Sequence, residues 1–114
     1  MNAAAAICCD ILNTEAGLAV GIIKLTRSAK ANALNFAMMQ AMRQQLLLWE
    51  SHSQVAWVVI ASENPQLFCA GGDVVQLCDA GADMAAQSLA EEYALLQIIS
   101  HYSKPLVVAA DGIT

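Results

Sequence analysis

The sequence predicts an α/β fold with its elements in the order β-β-α-β-α-α-β. Three observations predict it. Short apolar runs recur, the clearest being Ala56-Trp57-Val58-Val59-Ile60-Ala61, with the length and β-branched content of a buried strand. Between such runs lie segments whose Leu, Met and Trp residues return at helical spacing. Beyond the run at Ala56 comes Phe68-Cys69-Ala70-Gly71-Gly72-Asp73, where two glycines stand between a strand and a helix.

In chain order, Ile7 to Asn13 reads as a first strand and Asn13-Thr14-Glu15-Ala16-Gly17 as a turn. Leu18 to Leu25 reads as a second strand, so the two form a hairpin. Thr26 to Asn32 is polar and irregular. Asn35 has the chemistry of a helix N-cap, and Leu34, Met38, Met42, Leu46 and Trp49 follow at helical spacing. That stripe is read as core packing rather than a cofactor site. Ser51-His52-Ser53-Gln54 closes the helix and leads to the strand at Ala56. Asp73 is expected to cap a short helix carrying Val74 and Leu77, ending near Asp79 to Ala82. A longer helix from about Met84 to His101 is expected to bury Leu89, Tyr93, Leu96 and Ile99 on one face. Ser103-Lys104-Pro105 breaks it, and Leu106 to Ala110 supplies another buried strand.

The 114 residues suffice for one small domain and show no linker or second boundary. No uninterrupted apolar run reaches the ~18–20 residues that would span a bilayer, so no membrane partner is expected. The formal charge of −5 and the lack of a basic stripe disfavour nucleic acid. Lys24, Arg27 and Lys30 lie close in sequence; they suit either a phosphate or a solvated strand end. Cys8, Cys9, Cys69 and Cys78 have no CxxC spacing and no nearby His pair, so no metal is expected. Cys8 and Cys9 fall on opposite faces of their strand. With no targeting segment recognised, free and mostly buried thiols point to a reducing cytoplasm. His52 and His101 fall at helix ends and suit charges there better than catalytic bases.

The glycine turn leaves two readings open. Gly71-Gly72 either makes a tight strand-to-helix turn and nothing more, or presents backbone N–H groups to an anion or a developing oxyanion. The positive end of a following helix dipole would favour the second.

Taken together, these segments resemble the crotonase, or enoyl-CoA hydratase/isomerase, superfamily. Leu25 to Asn35 is similar to its "LNRP…NALN" segment, Phe68 to Val74 to its "FCAGGD" segment, and Lys104-Pro105 through Gly112-Ile113-Thr114 to its "KP…GIT" strand. Within the superfamily, Trp49-Glu50, Gly72-Asp73-Val74 and Glu91-Glu92-Tyr93 most resemble the 3-hydroxyisobutyryl-CoA hydrolase group. Ser28 in place of the usual Pro, and Gln66-Leu67 where a Lys often stands, depart from the pattern.

The resemblance implies a spiral of ββα turns, with residues 1–114 as the N-terminal part of a single such domain. It implies an acyl-CoA thioester hydrolase of valine catabolism, with enoyl-CoA hydratase/isomerase chemistry or a non-catalytic CoA-binding remnant as alternatives. The substrate would be an acyl-CoA and no separate cofactor is implied, coenzyme A being part of that substrate; a homo-oligomer is compatible. Gly72 matches the first oxyanion N–H donor. Lys30, Ala31, Asn32 and Ala33 match the segment that cradles CoA, together with the neighbourhood of Ala70, Gly71, Asp73 and Val74. Glu92 matches a substrate-contacting carboxylate, although a solvated helix face would equally place a Glu there. The second donor loop and the acid/base residues fall beyond Thr114, so this chain is expected to hold half a site and to be inactive alone.

Overall fold

The computed structural model describes residues 6–27, 32–64, 69 and 81–108. Four strands form one sheet in the order β1 (Ile7–Asn13), β2 (Ala19–Leu25), β3 (Val55–Ser62) and β4 (Leu106–Val108). Two helices are described, α1 (Phe36–Glu50) and α2 (Gly81–Ser100). The expectation of an α/β chain is met, and the short helix expected after Asp73 lies outside the described residues, as do Ala109 and Ala110.

The hairpin forms as read: β1 and β2 pair antiparallel from Ile7↔Leu25 to Asn13↔Ala19. Its turn is closed by the Thr14 amide and hydroxyl, both donating to the Leu18 carbonyl at 2.8 Å. Gly17 takes φ +81°, a conformation that costs a residue without Cβ least. β2 and β3 then pair in parallel, as do β3 and β4, so each crossover must pass over a face of the sheet.

Both helices cover the same face. β2 and β3 alternate, sending Ile23, Leu25, Val58 and Ile60 inward onto Met38, Met42, Leu46 and Trp49 of α1 and Leu95 of α2. The Met and Leu stripe of α1 is therefore core, as its spacing predicted. Trp49 lies so close to β2 that a Cβ on Gly21 would stand 2.5 Å from its ring, which is why that strand position carries no side chain. Asn35 caps α1, its Oδ1 accepting from the Met38 amide at 2.8 Å.

Three expectations are corrected. The face of α2 that buries is not Leu89, Tyr93 and Leu96, which are exposed (Tyr93 by 70%), but Ser88, Glu91 and Leu95. Ile99, the fourth of the expected set, is half-buried against the core with Ile98 and Tyr102. The cause is an ion pair: Glu91 is engaged by Arg43 of α1 through two hydrogen bonds, the second Nη2 to Oε1 at 3.1 Å. With ~100° between successive helical residues, seating Glu91 against α1 turns Leu89 and Tyr93 away from it. β4 is an edge strand, not a buried one, with Leu106 half-buried and Val107 and Val108 exposed. β3 is buried on one face only, Trp57 being exposed on the other.

The thiols also differ from expectation. Cys8 and Cys9 are exposed and Cys69 is buried. The two adjacent cysteines do fall on opposite faces, Cys8 opposite outward Lys24 and Cys9 opposite inward Ile23.

Candidate functional site

In an open sheet with parallel strands, ligands bind in the crevice beyond the strands' carboxyl ends. β2 and β3 are parallel neighbours and end side by side at Leu25 and Ser62. The segments that leave these ends are the ones the sequence singled out, residues 26–35 after β2 and residues 63–73 after β3. The strand ends are tied first by backbone, the Glu63 amide donating to the Leu25 carbonyl at 3.1 Å.

Asn32 occupies the junction. It is fully buried, at 0% exposure, and takes φ +52°, in the left-handed region that Asn tolerates better than most residues. Its Oδ1 accepts from the Arg27 amide at 2.8 Å, and its own amide donates to the Arg27 carbonyl at 2.9 Å. Its Nδ2 donates to Ser62 Oγ at 2.8 Å, and that hydroxyl also accepts from the Asn64 amide at 3.0 Å. The Asn32 carbonyl accepts from Cys69 Sγ at 3.2 Å. One residue thus ties Arg27 after β2, Ser62 at the end of β3 and Cys69 to one another.

Among the residues expected to hold substrate, Asn32 and Ala33 come to this junction, and both have polar groups committed within the protein. The Ala33 carbonyl accepts from Arg27 Nη1 at 2.7 Å. Arg27 therefore shapes its own loop, while Lys24 is exposed on the opposite face of the sheet from the core. Lys30, Ala31, Ala70, Gly71, Gly72, Asp73 and Val74 lie outside the described residues. Glu92 sits half-buried on α2.

Sequence reasoning missed the neighbouring Glu91 and its partner Arg43. The guanidinium is held more basic than usual by its hydrogen bond to Glu91, against the opposing effect of desolvation. The available signal was that Arg43 is the sole basic residue in α1, whose other side chains are apolar or amide apart from Glu50 at its last position. The role of Lys104 was also missed. Its Nζ donates to the carbonyls of Trp49 (2.5 Å) and His52 (2.6 Å), capping the C-terminal end of α1. Beside it, Tyr102 donates its hydroxyl to the Leu46 carbonyl at 2.5 Å, and the Ser103 amide donates to Glu50 Oε2 at 2.8 Å. The "KP" pair is thereby explained on both sides, because the Pro105 carbonyl accepts from the Val58 amide at 3.0 Å and starts β4.

Both histidines stand just beyond helix ends, where the sequence placed them. His52 Nδ1 accepts from the Gln54 amide at 3.2 Å, and His101 Nδ1 lies 3.1 Å from the Gln97 carbonyl. At the outer edge of the sheet, Cys9, Asp10, Gln45, Trp49 and His52 line an open groove. There burial, and then neighbouring Cys8, push the Cys9 thiol up, which makes it less reactive. Among the described residues no group of three His, Cys, Asp or Glu side chains is arranged to hold a metal ion, and no helix is long and apolar enough to cross a membrane.

Comparison with known proteins matches a family model described as enoyl-CoA hydratase/isomerase to residues 20–114. A curated relative from Xenopus tropicalis, named 3-hydroxyisobutyryl-CoA hydrolase, mitochondrial, is 43% identical over 108 residues. That match takes in 92% of this chain but only 28% of the relative. Among solved structures, an enoyl-CoA hydratase from Bacillus anthracis superposes with a TM-score of 0.82 over 94% of this chain and 40% of its own, at 19% identity. At that identity the likeness speaks for the fold alone. An enoyl-CoA hydratase from Rhodobacter sphaeroides reaches a TM-score of 0.76 at 34% identity, over 91% of this chain and 31% of its own. The cytoplasmic expectation does not stand, since the matched hydrolase is named as mitochondrial. Free thiols distinguish a reducing compartment from an oxidising one and do not separate cytosol from mitochondrial matrix.

Proposed function

This chain belongs to the enoyl-CoA hydratase/isomerase, or crotonase, family, and from that premise we propose that it is the N-terminal part of a mitochondrial acyl-CoA thioester hydrolase of the 3-hydroxyisobutyryl-CoA type. In this reading a water adds to the thioester carbonyl, whose oxygen becomes an oxyanion. The Gly72 N–H donates to that oxygen, and the C–S bond then breaks to give the free acid and the coenzyme A thiol. Residues 30–33 and 70–74 hold the CoA moiety, Glu92 faces the acyl group, and coenzyme A enters as substrate rather than as a resident cofactor. The second donor and the acid/base carboxylates come from chain that follows Thr114, so residues 1–114 carry half a site and do not turn over substrate alone.

The observation that supports this reading is the hydrogen bond from Cys69 Sγ to the Asn32 carbonyl at the ends of β2 and β3, each residue belonging to a stretch that resembles a family motif. The hydrolase assignment draws on the relative at 43% identity. Hydration of an enoyl-CoA is the second reading, favoured by the structure at 34% identity that bears that name.

The test uses the full-length polypeptide. Release of free thiol from 3-hydroxyisobutyryl-CoA, with no hydration of crotonyl-CoA, is the expected result; the reverse pattern selects the hydratase. Gly72→Val should abolish turnover by displacing the donor, whose loss is worth ~3–4 kcal/mol of transition-state stabilisation, while leaving the fold intact. An unchanged kcat in that variant removes Gly72 from the mechanism.

A further inference from the structure

β1 forms one edge of the sheet, and among the described residues nothing pairs with its outer side. The hairpin bonds show which groups that edge presents. The Thr26 amide donates to the Ala6 carbonyl at 2.9 Å, and the Thr14 amide to the Leu18 carbonyl at 2.8 Å. Ala6 and Thr14 therefore point their backbone groups at β2, and by the alternation of an antiparallel ladder so do Cys8, Asp10 and Leu12. Ile7, Cys9, Ile11 and Asn13 turn their N–H and C=O groups outward. The strand, Ile7-Cys8-Cys9-Asp10-Ile11-Leu12-Asn13, has no Pro or Gly, is exposed from Cys8 onward and carries a single charge. A short run of this kind, laid open along an edge, is a template for a further strand.

We propose that Asp10 guards this edge against β1 of a second copy of the chain. Its carboxylate Oδ1 accepts from the Ile11 amide at 2.8 Å. That amide is one of the outward donors, so the guard occupies a group that a docking strand would need. Its place along the strand adds a second obstacle. Asp10 is the fourth of the seven residues. When two copies of β1 pair antiparallel over their full length, Ile7 meets Asn13, Cys9 meets Ile11, and Asp10 meets its counterpart. By the alternation above, the two Asp10 residues form a non-hydrogen-bonded pair, the type whose side chains stand closest, with Cβ atoms ~4.5–5.5 Å apart. Like charges directly opposite one another are destabilising. Sliding the copies by two residues separates the carboxylates, but it leaves only five of the seven positions paired and still calls on the Ile11 amide. Without Asp10 the strand is uncharged, with Ile11 and Leu12 exposed on its two faces. The guard is independent of any thioester chemistry.

The experiment is sedimentation velocity on the full-length polypeptide over a range of concentrations. Asp10→Thr removes both the charge and the bond to the Ile11 amide while keeping a residue suited to a strand. It should sediment at roughly twice the wild-type mass, in a proportion that rises with concentration, as expected for a two-fold pairing of like strands. Asp10→Lys, which returns a charge to the centre of the edge, should keep the wild-type mass. Adding Ile11→Pro to Asp10→Thr deletes the outward N–H and costs the hairpin no bond, because Ile11 donates nothing to β2. The double variant should return to the wild-type mass. An Asp10→Thr protein that sediments as the wild type at every concentration overturns the proposal. So does association that persists in the double variant, since it would arise from misfolding or from another surface, and so does association of Asp10→Lys as strong as that of Asp10→Thr.

Discussion

The two ends of helix α1 are fastened by different chemistry, and the difference separates a buried junction from a solvent-exposed clamp. At its N-terminal end, the segment that delivers the chain into the Asn35 cap is held by Asn32, a neutral amide with no solvent exposure. At its C-terminal end, Leu46, Trp49, Glu50 and His52 are gripped by Tyr102, Ser103 and Lys104, through an ammonium, a carboxylate and a phenol that are partly open to water. Buried neutral hydrogen bonds fix geometry tightly and are costly to leave half-made. Charge-assisted bonds at a helix end tolerate movement and are screened by solvent. The first kind of junction suits a place where loops must be held to a fraction of an ångström. The second suits a joint that only has to stay closed.

This contrast is sharpest in the largest expected effect. Asn32→Leu keeps the volume but strands the Arg27 amide and removes the donor to Ser62 inside the protein. At ~1–3 kcal/mol for each group left unpaired, with left-handed strain added, the variant should lose ~3–4 kcal/mol. Urea unfolding should show the loss as a lower midpoint with an unchanged slope. A loss below ~1 kcal/mol would mean the junction is no tighter than the clamp, and the contrast between the two ends would collapse.

At the other end the expected effect is smaller. Lys104→Met keeps the aliphatic stem and removes the ammonium from the Trp49 and His52 carbonyls. Those carbonyls can turn to water, so the cost should be ~1–1.5 kcal/mol and should shrink as salt is added. Asn32→Leu should show no such salt dependence. Equal salt sensitivity of the two variants would break the distinction.

The same contrast describes what the sequence made legible. The hairpin, the Asn35 cap, the Met38–Trp49 stripe and the strand at Ala56 were readable because period, turn chemistry and capping act within a few residues of one another. The rotation of α2 was not, because Leu89, Tyr93 and Leu96 form a regular apolar stripe, whereas the face that is buried carries Ser88 and Glu91 beside Leu95. What decides between them is Arg43, 48 positions away from Glu91. No local pattern carries that distance. Asn32 was singled out as a residue facing the ligand, on resemblance; that its side chain is spent on Arg27 and Ser62 appears only when the ends of β2 and β3 lie together. Lys104 was noted as half of a motif, with its partners on α1 beyond the reach of spacing arguments. Burial of β4 and of Cys8 and Cys9 was overestimated for a related reason: apolar composition reports a wish to be covered, and what covers a strand is a matter of topology.

The smallest expected effect tests the clamp on its own terms. Tyr102 donates to the Leu46 carbonyl from a half-buried position, and burial, then the nearby Glu50 charge, push its phenol up to about 12. An unfolded tyrosine ionises near ~10, so the folded state holds the proton more tightly than the unfolded one does. The stabilisation that follows is fully present below pH ~10 and is lost as pH rises from there toward the folded value of about 12. Tyr102→Phe should cost ~1 kcal/mol at neutral pH, the usual net value of one such hydrogen bond. It should also flatten the part of the alkaline stability loss that belongs to this phenol. Glu50→Gln should lower the phenol's pKa without abolishing its shift, since desolvation is the larger cause. Spectrophotometric titration of the phenol against the Phe variant reads both effects. A Tyr102 that titrates like a free phenol would mean that its hydroxyl does not close the joint on α1, leaving that task to Lys104 and Glu50.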